Sequence, residues 1–224
     1  MTKAGDVRHG RARAMVEELA GLDAESPIGN ELLSLAREGR LELEHLRRLV
    51  AVELQCHVAE LSSYGLIMSR FPHSPTAGFY IEVARLVYDA HPKLRECGAA
   101  LGIPEERFYR WPQGPATQAF AGYISWLALH GTQADNALCL HTDLSTYFPD
   151  CRVLVEHLRG SDLKVPEEFL DYYGGGESEE MLRSALGVVD HGVGHGDDPA
   201  VAVARARLLH EHIGLFWRAA AGTD

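Results

Sequence analysis

Residues 49–68, LVAVELQCHVAELSSYGLIM, form a helical stretch too apolar to lie on a surface, yet they carry two carboxylates and an imidazole. Glu53, His57 and Glu60 recur at i, i+4 and i+7, so one stripe of the helix holds all three, and Tyr64 extends it by a turn. Burying such a set costs on the order of several kcal/mol unless the groups are paired, bind a metal or face a wet cavity. The stripe therefore faces either solvent, as a row of surface pairs, or a pocket. Small apolar residues and a cysteine on the other faces weigh toward the pocket.

The rest of the chain repeats the helical period, with no two-residue alternation over five or more positions. Breakers and caps predict helices from about Gly10 to Leu22, Asn30 to Glu38 and Leu43 to Arg70, the last ended by Pro72 and Pro75. A helix over Thr76 to Leu101 contains Pro92 and is expected to kink or break near His91. Pro104 opens a short turn. Further helices are expected over Pro115 to Gly131, Gln133 to Arg159 (bent at Pro149), Pro166 to Tyr173 and Glu177 to Asp190. Asp198 and Pro199 start the last, as N-cap and first helical residue. No linker, composition shift or repeat divides residues 1–224, so the expectation is one all-α domain, a bundle of eight or nine helices with its site in the core.

A formal charge of −11 disfavours nucleic acid and anionic membrane surfaces as partners. No apolar run approaches the roughly 20 residues that span a bilayer. The opening MTKAGDVRHGRARAM lacks the apolar core of a secretory signal. Cys56, Cys97, Cys139 and Cys151 show no CxxC spacing and read as free thiols. Together these point to the cytoplasm.

Two further segments set polar or aromatic groups in apolar helices. In ALCLHTDLSTYFP, residues 137–149, Asp143 and Tyr147 stand at i, i+4 and can meet one ligand, while His141 points elsewhere; capping or satisfied core hydroxyls explain the segment equally well. In AFAGYISWLALHG, residues 119–131, Phe120, Tyr123 and Trp126 form either core or the wall of a site for a flat heterocycle. His191 and His195, with Asp190 and Asp197, make a histidine–aspartate loop that reads as a glycine-rich connector or, less simply, a metal site. His210 and His212 flank Glu211 on different faces of the last helix.

In order and spacing, several segments resemble the TenA/thiaminase II family of the haem-oxygenase-like superfamily, with PqqC-like proteins as more distant relatives. They are PIGNELLSLAREGRLELEHLRRLVAVELQ (27–55), LGIPEERFYRWPQGPATQAFAGYISWLALHG (101–131), ALCLHTDLSTYFP, FLDYYGGGES (169–178) and GLFWRAA (214–220). The resemblance implies a TenA-like helical bundle with a central pocket, a small-molecule substrate and a homodimer or homotetramer. It puts Glu53 in place of the family's pocket aspartate, and Tyr147 matches the tyrosine one turn after the nucleophilic cysteine. Phe216 belongs to the closing phenylalanine–tryptophan motif. Asp143 occupies the cysteine's own position, with Cys139 one turn earlier, and Ile213 stands where the family carries its late glutamate. The chain thus diverges from an ordinary thiaminase II.

Three functions are compatible with this pattern. The first is a cofactor-independent enzyme acting on a small aromatic or heterocyclic metabolite. In it Glu53, Asp143 and Tyr147 are catalytic, and His57, Glu60, Phe120, Tyr123, Trp126 and Phe216 bind substrate. The second is a non-haem iron oxidase on the same scaffold, with Glu53, His57, Glu60 and Asp143 as ligands and Glu82 and His91 in reserve. The resemblance weakens it, because the late His-x3-Asp-x2-His run of such oxidases is replaced at Gly176, Glu180 and Arg183. The third is a binding or regulatory protein that keeps the pocket without the chemistry.

Overall fold

The computed structural model describes residues 10–176 and 178–223. The helix start expected at Glu177 and the first nine residues of the amino-terminal stretch lie outside them. Among the described residues there are nine α-helices and no strand: α1 (Gly10–Glu25), α2 (Glu31–Arg37), α3 (Leu43–Arg70), α4 (Thr76–Ala100), α5 (Pro115–His130), α6 (Gln133–Arg159), α7 (Glu167–Tyr173), α8 (Glu179–Gly194) and α9 (Pro199–Ala221). A 3-10 turn, Glu105–Arg107, joins α4 to α5. None of these helices is long and apolar enough to cross a membrane.

α3 runs through the middle of the bundle, packed by α4, α5 and α9, while α6 lies against α8 and α9. Every residue from Leu49 to Leu54 is buried, which happens only when a helix is covered on all sides. Asn30 caps α2 by accepting from the Leu33 N–H, Ser178 caps α8 through Met181, and Thr132 and Asp135 form a reciprocal capping box on α6. Asp198 accepts from the Ala200 and Val201 N–H groups at the start of α9, with Pro199 as the first helical residue.

Two expectations about breaks differ from the structure. α4 continues through Pro92, so the proline does not break it. Pro92 and Tyr88, whose carbonyl the missing N–H would have served, both stand on the exposed face, where water takes over that acceptor. The connector expected from Gly192 to Asp197 is partly helix, since α8 continues to Gly194. Gly192 lies against the first turn of α6, and Asp197 reaches across to accept from the Ala134 N–H at 2.9 Å. Asp190 accepts from the Ala12 N–H at 3.0 Å. These aspartates serve helix packing and capping.

Candidate functional site

The stripe on α3 faces inward. Glu53, His57 and Glu60 are only 6, 5 and 8% exposed, which rules out a solvated face. They border a cavity of about 700 Å³, within the range of small-molecule sites. α6 contributes Asp143, Tyr147 and Cys151, each one turn after the last, and α9 contributes Ile213 and Phe216. α5 adds Phe120, α4 adds Val83 and Val87, and α7 closes one side with Tyr172 and Tyr173.

Glu53 is the best-held group. The Tyr172 hydroxyl donates to its Oε1 at 2.8 Å and the Tyr173 hydroxyl to its Oε2 at 2.5 Å, so each oxygen has its own short O–H donor. His57 Nε2 stands 3.6 Å from Glu53 Oε1 and 3.4 Å from the Tyr172 hydroxyl. Burial pulls the His57 imidazolium down, but the hydrogen bond with Glu53 and the charges of Glu60 and Glu53 outweigh it, and its pKa rises above the ordinary histidine value.

Glu60 accepts from the Tyr64 hydroxyl at 3.3 Å. Burial lifts its pKa, His57 and the Tyr64 bond oppose the lift, and Glu53 adds to it. Asp143 has no hydrogen-bond partner among the described residues. Burial pushes its pKa well above the usual carboxylate range, and the nearby charges of Glu60 and Glu53 push it further. The site thus holds one carboxylate braced by donors and another driven to keep its proton, the separation of roles that acid–base catalysis requires.

Behind these groups the closing motif forms an aromatic plate. Trp217 stacks on Tyr147 at 5.7 Å and Phe216 meets Tyr147 edge-on at 6.1 Å. The Tyr147 hydroxyl lies beside the Cys151 thiol and has no nitrogen or oxygen partner.

Other expected wall residues fall elsewhere. Tyr123 and Trp126 do not border the cavity. Tyr123 stacks on His212 at 4.5 Å and donates its hydroxyl to the Arg205 carbonyl, and Trp126, 43% exposed, lies under the Arg205 guanidinium on the outer face. Of the three aromatics, Phe120 alone borders the cavity. Cys139 sits behind Asp143 against a minor void, off the main cavity. Cys56 and Cys151 do border it, but burial holds both thiols well above their ordinary pKa, the opposite of an activated nucleophile.

The donors named for the iron reading are arranged as follows. Among the described residues no three His, Cys, Asp or Glu side chains converge as a metal site. Glu82 is exposed, His91 Nε2 is bound to the Tyr109 hydroxyl, and both oxygens of Glu53 already face tyrosine O–H groups. The same holds for His191 and His195, whose rings lie 4.2 Å apart without converging acids.

The residues that sequence reasoning missed as site residues are Tyr172, Tyr173, Cys56 and Cys151. The two tyrosines had a signal, the aromatic run FLDYYGGGES that carries part of the family resemblance, but nothing local says that they reach Glu53, about 120 residues earlier.

No family model matches the chain, and no curated protein matches it in sequence. Its structure is similar to that of a TenA homologue from Pyrococcus furiosus, with a TM-score of 0.66 and 14% identity, over 92% of this chain and 99% of that one. At that identity the likeness is one of fold. The chain has the TenA-like all-helical fold.

Proposed function

We propose that the chain is an enzyme that carries out carboxylate acid–base chemistry, without a cofactor, on a small flat heterocycle bearing a protonated or readily protonated nitrogen. The observation that carries this is the enclosed cluster of Glu53, His57, Glu60 and Asp143 on an otherwise largely apolar and aromatic cavity wall. Among the described residues the exposed rim adds Glu96, Glu168 and Asp171 and the Arg85–Asp89 pair, with Lys93 beside them, so the acidic groups outnumber the basic ones at the entrance and favour positive charge. Phe120, Phe216 and Tyr147 supply flat apolar surface for a ring.

In this reading Asp143 delivers a proton to the leaving atom and Glu53 accepts one from the attacking water or from a ring substituent. Tyr172 and Tyr173 keep Glu53 in one orientation, which spares the reaction the reorganisation that a free carboxylate would need. The Tyr147 ring packs against the bound heterocycle. By resemblance, the working unit is a homodimer or homotetramer.

The test is calorimetric titration with aminopyrimidines and related heterocycles, followed by mass spectrometry of the incubated mixtures. Binding with conversion, lost in Glu53→Gln and Asp143→Asn, is the expected result. Conversion at wild-type rates in both variants would sink the assignment. Tight binding without conversion would instead establish the binding-protein reading, which Ile213 at the cavity wall, where the resembled family has a glutamate, independently favours.

A further inference from the structure

A second, smaller space lies behind the wall of the cavity. It is a void of about 30 Å³, and Tyr64, Phe120, Leu140 and Asp143 border both it and the main cavity. The two spaces therefore share one thin wall, with the unpartnered Asp143 carboxyl in it. A void of that size has room for about one or two non-hydrogen atoms.

One polar group in its lining has no task. Tyr80, on α4, borders the void and is only 1% exposed, and among the described residues its hydroxyl has no hydrogen-bond partner. By contrast, the Tyr64 hydroxyl is committed to Glu60 at 3.3 Å, and the Asn136 amide nitrogen donates to the Thr132 carbonyl at 2.8 Å. Neighbouring rings hold Tyr80 in place: Tyr64 lies 5.6 Å away between centroids, and Phe79 meets it edge-on at 5.1 Å. Burial, together with the Cys139 sulfur that also borders the void, pushes the Tyr80 pKa well above the ordinary tyrosine value. It stays an O–H that can both donate and accept. Buried hydroxyls are rarely left unpaired, because each has given up its water for nothing in return.

We infer that this void is a selectivity pocket for one small polar substituent, an amino or hydroxyl group, on the ring bound in the main cavity, and that Tyr80 reads it. The inference rests on the heterocycle reading of that cavity. A ring lying on Phe120 with one edge toward Asp143 directs a substituent through the shared wall. A methyl group fits the same space but leaves the Tyr80 hydroxyl unpaired, so polarity discriminates where size does not. Tyr80 binds and takes no part in proton transfer, which stays with Glu53 and Asp143.

The test is calorimetric titration with pyridine and its meta-amino, meta-hydroxyl and meta-methyl derivatives, whose ring nitrogens are similar in basicity. Wild type is expected to bind the amino or the hydroxyl derivative about tenfold or more tighter than the methyl one, the worth of a partner for one buried hydroxyl. Tyr80→Phe should close that gap. Cys139→Val adds a methyl-sized group to the void, away from the main cavity, and should weaken all three derivatives relative to pyridine. Thermal unfolding without ligand supplies a readout that a structural hydroxyl would not share: Tyr80→Phe should keep or raise Tm. A lower Tm would mean that the hydroxyl already has a partner, such as an internal water, and would overturn the pocket. Equal binding of the amino, hydroxyl and methyl derivatives by wild type would overturn it too, as would a preference that survives in Tyr80→Phe. If Cys139→Val does not fold, Tyr80→Phe decides. Should wild type bind none of the four, the heterocycle reading falls and takes the pocket with it. A failure of the acid–base chemistry alone shows differently, as absent or variant-insensitive conversion of rings that still bind with this preference.

Discussion

At the residue scale, the site combines groups that oppose folding with groups that compensate. The folded-state pKa of Asp143 and of Glu60 lies above the unfolded value. Each binds its proton more tightly when folded, so its contribution favours folding at acid pH and declines as pH rises from its unfolded pKa through its folded one. The raised His57 works in the same direction, its stabilisation being complete below the unfolded pKa and lost through the folded one. The contribution of these three groups should therefore fall on going from mildly acid to alkaline pH, against the lowered His45, His91, His141 and His191, which act the other way, and denaturant midpoints of wild type and Asp143→Asn across that range will separate the two. Asp143→Asn removes one of these terms. It should abolish function yet raise stability at pH 8 by roughly 1 kcal/mol, or about 2–4 °C in Tm for a chain of this size. A fall in Tm would show that the Asp143 carboxylate has a stabilising partner. Tyr173→Phe is the opposite case. It strips a buried oxygen of Glu53 of its donor and should cost about 1–3 kcal/mol, read from the same midpoints. Because Glu53 is already occupied in this way, anaerobic incubation with ferrous iron should leave far less than one iron per chain. Stoichiometric iron that is lost in Glu53→Gln would restore the oxidase reading.

At the scale of elements, most of the fold was legible because its signals are local. α3 has the expected bounds, set by the apolar run and the prolines after it, and the Asp198–Pro199 start of α9 is a capping signal that depends on no distant contact. The inward aim of Glu53, His57 and Glu60 was half legible: spacing placed them on one stripe, but only the surrounding helices decide between water and cavity. What escaped was set by partners far along the chain. Trp126 belongs to an aromatic cluster by sequence, yet α9 meets α5 so that Arg205 covers it on the outside. Gly192 and Asp197 looked like a flexible connector because their function is to let α8 approach α6. A Cβ at Gly192 would run into Asp197 Oδ2 and the Ala134 N–H. Asp197→Ala should therefore cost about 1 kcal/mol through the lost cap on α6, and Gly192→Ala about 2 kcal/mol or more through the clash. Equal midpoints for wild type and Gly192→Ala would mean that the two helices separate freely.

At the scale of the whole molecule, charge and exposed apolar surface decide whether copies of the chain can associate. Trp126 and Leu129 on α5 and Val201 and Leu208 on α9 are all exposed, and the two helices pack side by side. Exposed apolar side chains on adjoining helices are the material of an interface. The chain carries a formal charge of −11, so two copies repel over a distance that salt shortens to about 8–10 Å at physiological strength. Apolar contact is insensitive to that screening, and repulsion is not. An assembly held by the α5–α9 face should therefore tighten as salt rises, the reverse of one held by ion pairs. Light scattering at low and high salt is expected to give a dimer or tetramer, with any dissociated fraction confined to low salt. Leu129→Lys should dissociate it by placing a solvated charge in the apolar contact, while the cavity, lined by other residues, keeps its ligand. A monomer at every salt concentration would show that this face serves no self-association and that each chain works alone.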